Sequence, residues 1–311
     1  MENAVACIGA AHIDRKAVAV GPVTLGSSNP VTIFEKPGGV ARNVAENLTR
    51  LGLSVALISR VGTDMDGNTV LNDLVATGID TRLVSRSTTQ RTASYTALLD
   101  GRGELVIGLA DMDIYDELTV PVLEALLPEL TGMPVWFVDS NLSAESLHFL
   151  VRNKPAGCSI YIDAVSVAKA PRLTGGLRGI DTLFINQDEA EILAQVQIRA
   201  PLDVCEAGYR LLSRGVTSVI ISRGSAGAFM ASPYKYEFFA AASAAVREVT
   251  GAGDALIAGT LFGRLTGRPL DEALRIGLSC AAWAVEVDET VRPDLTAGLA
   301  LERAGLLRQS A

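Results

Sequence analysis

The chain has 311 residues, a formal net charge of −8, 49% hydrophobic and 20% charged residues. That apolar fraction can fill a large core and excludes a disordered chain. The acidic balance gives no electrostatic ground for nucleic-acid or anionic-membrane binding, so an anionic substrate has to be held by local groups.

In chain order, short apolar, β-branched runs alternate with helical patterns, which predicts a mostly parallel sheet covered on both faces. The N-terminal run carries no basic segment before its apolar residues and reads as a first strand, Val5 to Gly9. Ile13 to Pro37 contains no helical pattern and is rich in Val, Gly, Ser and Pro. Val40, Val44, Leu48 and Leu51 then form an apolar stripe at helical spacing. A strand follows at Ser54 to Arg60. Thr92 to Leu99 and Glu104 to Leu109 flank an Asp100-Gly101-Arg102-Gly103 turn and read as a hairpin. Together, 13–37 and 92–112 are expected to form a small antiparallel sheet projecting as a lid, with edge strands of the main sheet as the alternative. Further core strands are predicted at Val135 to Asp139, Ser159 to Asp163, Thr182 to Ile185 and Ser218 to Ser222. Helices are predicted after a Ser143 cap (Leu147, Leu150, Val151), through Glu189 to Ala194, Val204 to Ser213, Ala255 to Leu265 and Asp271 to Glu286. The whole chain, 1–311, is expected to be one domain.

Four dispersed cysteines, Cys7, Cys158, Cys205 and Cys280, show no zinc spacing and read as small buried apolar residues. Only His12 and His148 are present, which argues against a histidine-centred triad or metal site. No apolar segment is long enough to span a bilayer, and a cytoplasmic protein is the expectation.

The chemistry concentrates at Glu248-Val249-Thr250-Gly251-Ala252-Gly253-Asp254. A glycine turn opening a buried helix leaves the N–H groups of Gly251, Ala252 and Gly253 unpaired, where the helix dipole favours an anion. Asp254 stands beside that hole, placed to accept a proton from a hydroxyl. Taken alone, the same turn is equally an ordinary helix start. In open parallel sheets ligands bind beyond the carboxyl ends of the strands. Asp14, Asp139, Asn141, Asp163, Asn186, Glu189 and the Ser222-Arg223-Gly224 turn all fall there. Each could be a turn former or cap, but their shared position at strand ends favours a site. Gly38-Gly39 followed by Asn43 suits close approach of backbone to a hydroxylated ligand, or a plain helix start after Pro37. Ser222 to Gly227 suits a nucleotide lying flat on backbone, or a tight hairpin.

VTGAGD at 249–254, GGVARN at 38–43, Val61 to Gly67 and the Asn186…Glu189 pair resemble, in the same order and over essentially the whole chain, the PfkB or ribokinase-like carbohydrate and nucleoside kinases. Ser28-Asn29-Pro30, the 92–114 hairpin, 138–143 and 163–169 are most similar to the pseudouridine-kinase branch of that family. The resemblance implies a three-layer α/β/α fold with a small β-sheet lid, and transfer of the ATP γ-phosphoryl to a primary hydroxyl, for pseudouridine the ribose 5′-hydroxyl. It implies Asp254 as base, with Gly251, Ala252 and Gly253 as anion hole. Asn186 and Glu189 would organise Mg²⁺ and phosphate, largely through water, and Ser222, Gly224 and Gly227 would hold the nucleotide. Asp14, Gly38, Gly39, Asn43 and Asn141 would hold ribose hydroxyls, with Asp111 and Lys169 as base-side or phosphate-side contacts. A homodimer through the lid is implied as well. Glu248 stands where the family often has Asp near its monovalent-cation site, which leaves a K⁺ requirement open. His12 stands where an Asn is common. Ribose, adenosine or a ketose are the alternative substrates; a non-enzymatic nucleoside or sugar sensor is the other alternative, against which an intact Asp254 and Glu189 argue.

Overall fold

The computed structural model describes residues 5–307; the first four and last four residues, including the start of the N-terminal run, lie outside it. Strands are β1 Val5–Ile8, β2 His12–Ala19, β3 Val31–Gly38, β4 Val55–Gly62, β5 Val84–Ser87, β6 Ser94–Leu99, β7 Leu105–Asp111, β8 Val135–Asp139, β9 Ser159–Asp163, β10 Thr182–Asn186, β11 Ser218–Ser222, β12 Ala228–Ser232 and β13 Lys235–Phe239. Helices are α1 Val40–Arg50, α2 Met65–Ala76, α3 Val120–Leu130, α4 Ala144–Asn153, α5 Gln187–Ala194, α6 Pro201–Ser213, α7 Ala252–Leu265, α8 Leu270–Ala284 and α9 Ala297–Arg303.

The large sheet has nine strands in the order β13-β12-β11-β10-β9-β8-β1-β4-β5. From β5 through β11 its pairings are parallel; β12 and β13 add an antiparallel hairpin at one edge. The central strands are buried on both faces, which is why they read as continuous apolar runs. Alternation still decides which helix layer each residue meets. Val5, Cys7, Leu57 and Phe137 pack in the core that contains α1, α7 and α8. Ala6, Ile8, Ile58 and Trp136 pack in the core that contains α4, α5 and α6. The result is a three-layer α/β/α fold.

The strand order reverses between β1 and β8: the chain builds outward to β4 and β5 on one side, then to β9, β10 and β11 on the other. Such a switch point opens a crevice at the carboxyl ends of the strands. Here those ends are Gly9-Ala10 and Asp139.

A separate four-stranded sheet has the order β3-β2-β6-β7. The segments expected to pair do so, but the sheet is not antiparallel throughout as expected: its central pairing, between β2 and β6, is parallel, because the two strands belong to segments far apart in the chain that spacing does not relate. The 100–103 turn is closed by the Asp100 carboxylate, which accepts from the N–H groups of Arg102 at 2.8 Å and Glu104 at 3.0 Å. Both outer strands expose much of their length.

Asp64 explains the Val61–Gly67 motif. It caps α2 through the Gly67 N–H at 2.9 Å, and it holds Thr92 through both its N–H at 2.9 Å and its hydroxyl at 2.6 Å. One carboxylate thereby fixes the end of β4 and the chain entering β6. The helix it starts was not legible in the sequence, because Gly67, Asn68 and Asp73 break the apolar stripe.

The N-terminus of α1 sits hard against the chain leaving β1. Gly39 adopts φ 106°, and a Cβ there would lie 2.4 Å from the Ala10 carbonyl oxygen. Replacing it combines left-handed strain with overpacking, each costing about 1–3 kcal/mol. Gly39→Ala is therefore expected to lower the unfolding free energy by about 2–4 kcal/mol in urea denaturation, with Gly52→Ala, also at positive φ but in open space, losing distinctly less.

Candidate active site

The turn 248–254 enters α7 with Gly251 as its cap at φ 84°, and a Cβ on Gly251 would meet the Thr290 carbonyl oxygen at 2.1 Å. Glycine is required there by conformation and by space. Gly253 is exposed, with nothing within 4 Å of where a Cβ would stand. The amides of 251–253 lie at the first turn of α7, where an anion is favoured; all three were expected to be unpaired, but the Ala252 N–H donates to the Val249 carbonyl at 3.3 Å and closes the turn.

Glu248 shapes this turn from before it. Its Oε1 accepts from the N–H of Val249 at 3.0 Å, the N–H of Thr250 at 3.1 Å and the Thr250 hydroxyl at 2.8 Å. Its Oε2 takes the Lys16 ammonium, which comes from β2 of the small sheet. Partial burial works to raise the Glu248 carboxyl, but Lys16 and the Thr250 donors outweigh it and hold the group at about 2. Lys16 was not singled out in the sequence, because nothing local links it to a residue 232 positions away.

Asp254 opens on a cavity of about 180 Å³ lined also by Asp163, Asn186, Glu189, Ser222 and Gly253, with Val40, Phe184, Ile220 and Leu256 as apolar wall. Burial of the carboxylate pushes Asp254 up to about 7, helped by the negative field of Asp139 and Asp14; a hydrogen bond from Asn43 and the charge of Arg42 oppose the rise. Asp163 is also held well above the usual carboxylate range, by burial first and then by Glu189, Asp254 and Asp139. Its carboxylate accepts the N–H of Val165, a β-branched residue strained at φ 68°.

Asn186 and Glu189 form a reciprocal capping box on α5. Asn186 Oδ1 accepts the Glu189 N–H at 2.9 Å, and the two Glu189 oxygens accept the Asn186 N–H at 2.9 Å and its Nδ2 at 2.8 Å. Burial raises Glu189 against these bonds. Three carboxyl groups, Asp163, Glu189 and Asp254, thus face one cavity, each raised by burial, which suits a cation. No group of three or more His, Cys, Asp or Glu is close enough to ligate a bare metal among the described residues. The donor set fits a hydrated divalent ion shared with phosphate oxygens and does not form a protein cage.

Ser222, Gly224 and Gly227 lie at the end of β11 and in the turn that follows. Ser222 pairs with Asn186 across the sheet. Gly227 is packed so closely that a Cβ would lie 2.0 Å from the Phe239 carbonyl oxygen, while Gly224 faces open space.

The remaining sequence-expected residues gather at the β1/β8 switch point, Asp111 excepted. Asp14 Oδ1 is 3.1 Å from His12 Nε2, and a Cβ on Gly38 would lie 2.1 Å from Asp14 Oδ2. His12 also lies 3.5 Å from the Tyr115 hydroxyl, which accepts the Ala11 N–H at 2.9 Å. Asn43 donates to Asp254 Oδ2 at 2.8 Å. Asn141 donates its N–H and Nδ2 to Asp139 Oδ1, both at 2.9 Å, and its Oδ1 accepts the Lys169 ammonium. Burial lowers Lys169 below the ordinary lysine value. Arg172, missed in the sequence, donates to the carbonyls of Ser140, Asn141 and Leu142 at 3.2, 2.8 and 3.1 Å and so fixes this turn. Asp111 stands at the end of exposed β7 opposite Ser94, with no side-chain hydrogen bond among the described residues. Cys7, Cys158 and Cys280 are buried as expected, with burial pushing Cys158 up to about 11 and Cys280 to about 12, whereas Cys205 on α6 is only partly buried.

A helix start that favours an anion, a buried carboxyl raised to about 7 and a glycine turn after β11 stand together at the carboxyl ends of the strands, an arrangement that suits a phosphotransferase. The pfkB family carbohydrate kinase model matches residues 2–297, and the chain belongs to that family, as its motifs led one to expect. The pseudouridine kinase of Escherichia coli (strain K12) is 31% identical over 293 residues, covering 94% of this chain and 93% of that protein. The guanosine-inosine kinase of Exiguobacterium acetylicum is 26% identical over 292 residues, covering 92% and 96%. The ribokinase of Arabidopsis thaliana, solved with ribose and ATP, superposes with a TM-score of 0.87 at 19% identity, over 98% of this chain and 99% of that one, which establishes the likeness of fold.

The Lys16–Glu248 pair joins the small sheet to the turn before α7. Because Glu248 lies below the ordinary value of 4.5, at about 2, its stabilisation is present above about pH 4.5 and is lost as the pH falls through about 2. Lys16→Met is expected to lower the melting temperature by about 1–3 °C at pH 7, the scale of a partly screened ion pair, and by a smaller margin at pH 2.5. A difference that does not shrink with acid would separate Lys16 from Glu248.

Proposed function

We propose that this chain is a pseudouridine kinase that transfers the γ-phosphoryl of ATP to the ribose 5′-hydroxyl. The carrying observation is Asp254, a carboxylate held at about 7 on the first turn of α7, beside the glycine turn that opens the helix. In this reading the whole chain works as one catalytic domain, and the small sheet, 13–37 and 92–112, is its lid. The nucleoside lies under the lid against Asp14, Gly38, Gly39, Asn43, Asn141 and Lys169, with Asp111 on the base side. Ser222, Gly224 and Gly227 hold the nucleotide.

Asp254 takes the proton of the 5′-hydroxyl as its oxygen attacks the γ-phosphorus; the bond to the β-phosphate bridging oxygen breaks, and ADP leaves. The amides of 251–253 stabilise charge on the transferring group. Mg²⁺, held through water by Glu189 and Asn186 with Asp163 nearby, would offset the phosphate charge that these carboxylates otherwise repel. Positioning by the closed lid supplies much of the remaining rate. The Lys16 ammonium already occupies one Glu248 oxygen, which favours turnover without K⁺.

Identity to the Escherichia coli enzyme over nearly the full length of both chains supports the pseudouridine reading; the guanosine-inosine kinase keeps a purine nucleoside as the rival. ADP release with pseudouridine, uridine, guanosine, adenosine, ribose and fructose tests it. The expected outcome is that kcat/KM is highest for pseudouridine and falls about tenfold per pH unit below about pH 7, as Asp254 is protonated. Asp254→Asn is expected to lower kcat by about two to four orders of magnitude. A purine nucleoside or ribose turning over faster than pseudouridine overturns the substrate, and an Asp254→Asn protein within about threefold of wild type overturns the mechanism.

The outer strands of the lid carry exposed Ile33, Phe34, Leu105, Ile107 and Leu109, the last 56% exposed. Open edges of that character favour pairing with a second copy. Sedimentation velocity is expected to show a mass near twice that of the chain, and Phe34→Glu with Leu109→Glu to return it to one.

A further inference from the structure

Arg42 precedes Asn43 on the first turn of α1 and is only 5% exposed. Its guanidinium is fully engaged. Nε and Nη2 donate to Asp73 Oδ2 on α2 at 3.2 and 2.7 Å, and Nη2 is 2.6 Å from Glu46 Oε2 one turn along α1. Glu46 is shared with Arg50, also at 2.6 Å. The remaining arm, Nη1, donates to Asn43 Oδ1 at 2.9 Å.

A guanidinium has donors and no acceptor, so the side of the Asn43 carboxamide facing it has to be the oxygen. The nitrogen is thereby turned toward Asp254, where Nδ2 donates to Oδ2 at 2.8 Å. An ionised carboxylate accepts only, so this is the one orientation that satisfies both neighbours. Resting on the kinase reading above, we propose that Arg42 is a positioning residue for the reaction: held by Asp73 and Glu46, it locks the Asn43 carboxamide with its N–H on one oxygen of Asp254, which leaves the other oxygen to receive the hydroxyl proton.

The charged groups around Asp254 make this hold consequential. Asp139 from β8 and Asp14 from β2 disfavour its ionised form, while Asp163 on β9 is itself held toward the neutral form, in part by Asp254; Asn43 and Arg42, both from α1, favour the ionised form of Asp254. Without Arg42 the carboxamide is free to turn its oxygen toward Asp254. That removes a donor and a cation together and leaves the base protonated at neutral pH. A residue that merely glued α1 to α2 would change stability and leave the titration of Asp254 where it was.

The test compares wild type with Arg42→Lys and with the double variant Arg42→Met/Glu46→Gln, which removes the buried counter-charge along with the cation. One readout is the pH dependence of kcat/KM for the best nucleoside of the panel. The other needs no turnover: the ¹³C carboxyl titration of Asp254, assigned by its loss in Asp254→Asn. The double variant is expected to shift both the acid limb and the carboxyl titration up by about one pH unit, which is about tenfold in kcat/KM below the limb. The nucleoside KM is expected to stay within about twofold. Arg42→Lys keeps the charge and loses the planar fork, so its limb is expected between the two. If the double variant fails to fold by far-ultraviolet circular dichroism, Arg42→Lys carries the test. A limb and a titration that coincide with wild type in the folded variants overturn the proposal. Activity surviving in Asp254→Asn overturns the kinase base instead, while the carboxyl titration still reports whether Arg42 holds Asp254.

Discussion

The site is organised around the fully buried carboxylate of Asp139. Its Oδ2 accepts the N–H of Ala10 at 2.8 Å and of Ala41 at 3.0 Å, and its Oδ1 accepts two bonds from Asn141. One side chain therefore ties the end of β1, the start of α1 and the turn after β8 across the point where strand order reverses. A buried charge is tolerable only when its lone pairs are filled in this way. The carboxylate also sets the local field. Asp254, Asp163, Tyr115 and Cys7 are all pushed toward their neutral forms in part by Asp139.

That interior negative charge gives the crevice its chemical character. Burial alone raises a carboxyl, and a concentration of carboxylates raises it further. At Asp254 the rise is checked by Asn43 and Arg42, and the balance falls near neutrality, where a general base works best. On the cavity side, Asp163 and Glu189 form no side-chain ion pair among the described residues, and Lys169 is the cation that feels Asp163. A site of this kind holds phosphate only together with cations, which is the physical logic behind a divalent ion shared through water. Under the proposed function, the protein supplies fixed amides and fixed carboxylates, and the mobile charge would arrive with the nucleotide.

Much of this was legible in the sequence because it rests on local rules. The central parallel strands announced themselves as short apolar runs, since both faces are covered. The Ser143 cap, the Asn186–Glu189 box and the glycine turn before α7 are each set by residues within a few positions of one another. Other features depend on distant partners. The parallel β2–β6 pairing, the Lys16–Glu248 bridge and the Asp64–Thr92 clamp join segments that carry no mark of each other. The family resemblance implied Asn43 as a ribose contact; that its carboxamide also joins Asp254 to Arg42 was visible only in the fold. α2 and α3 escaped because Gly67 and Pro128 interrupt their patterns, and tertiary packing of Val70, Leu74 and Leu123 holds them instead.

By itself the sequence determined the class of fold, because strand periodicity and capping are short-range consequences of backbone geometry, while the kind of chemistry was legible only through the motifs the chain shares with the PfkB family. Tertiary structure decided how the charges are balanced. It brought Asp14, Asp139, Asp163 and Asp254 from four separate strand and helix ends into one field, and set Arg42 and Asn43 against it. Those are sums over groups far apart in the chain, and only the folded arrangement supplies the distances that fix them.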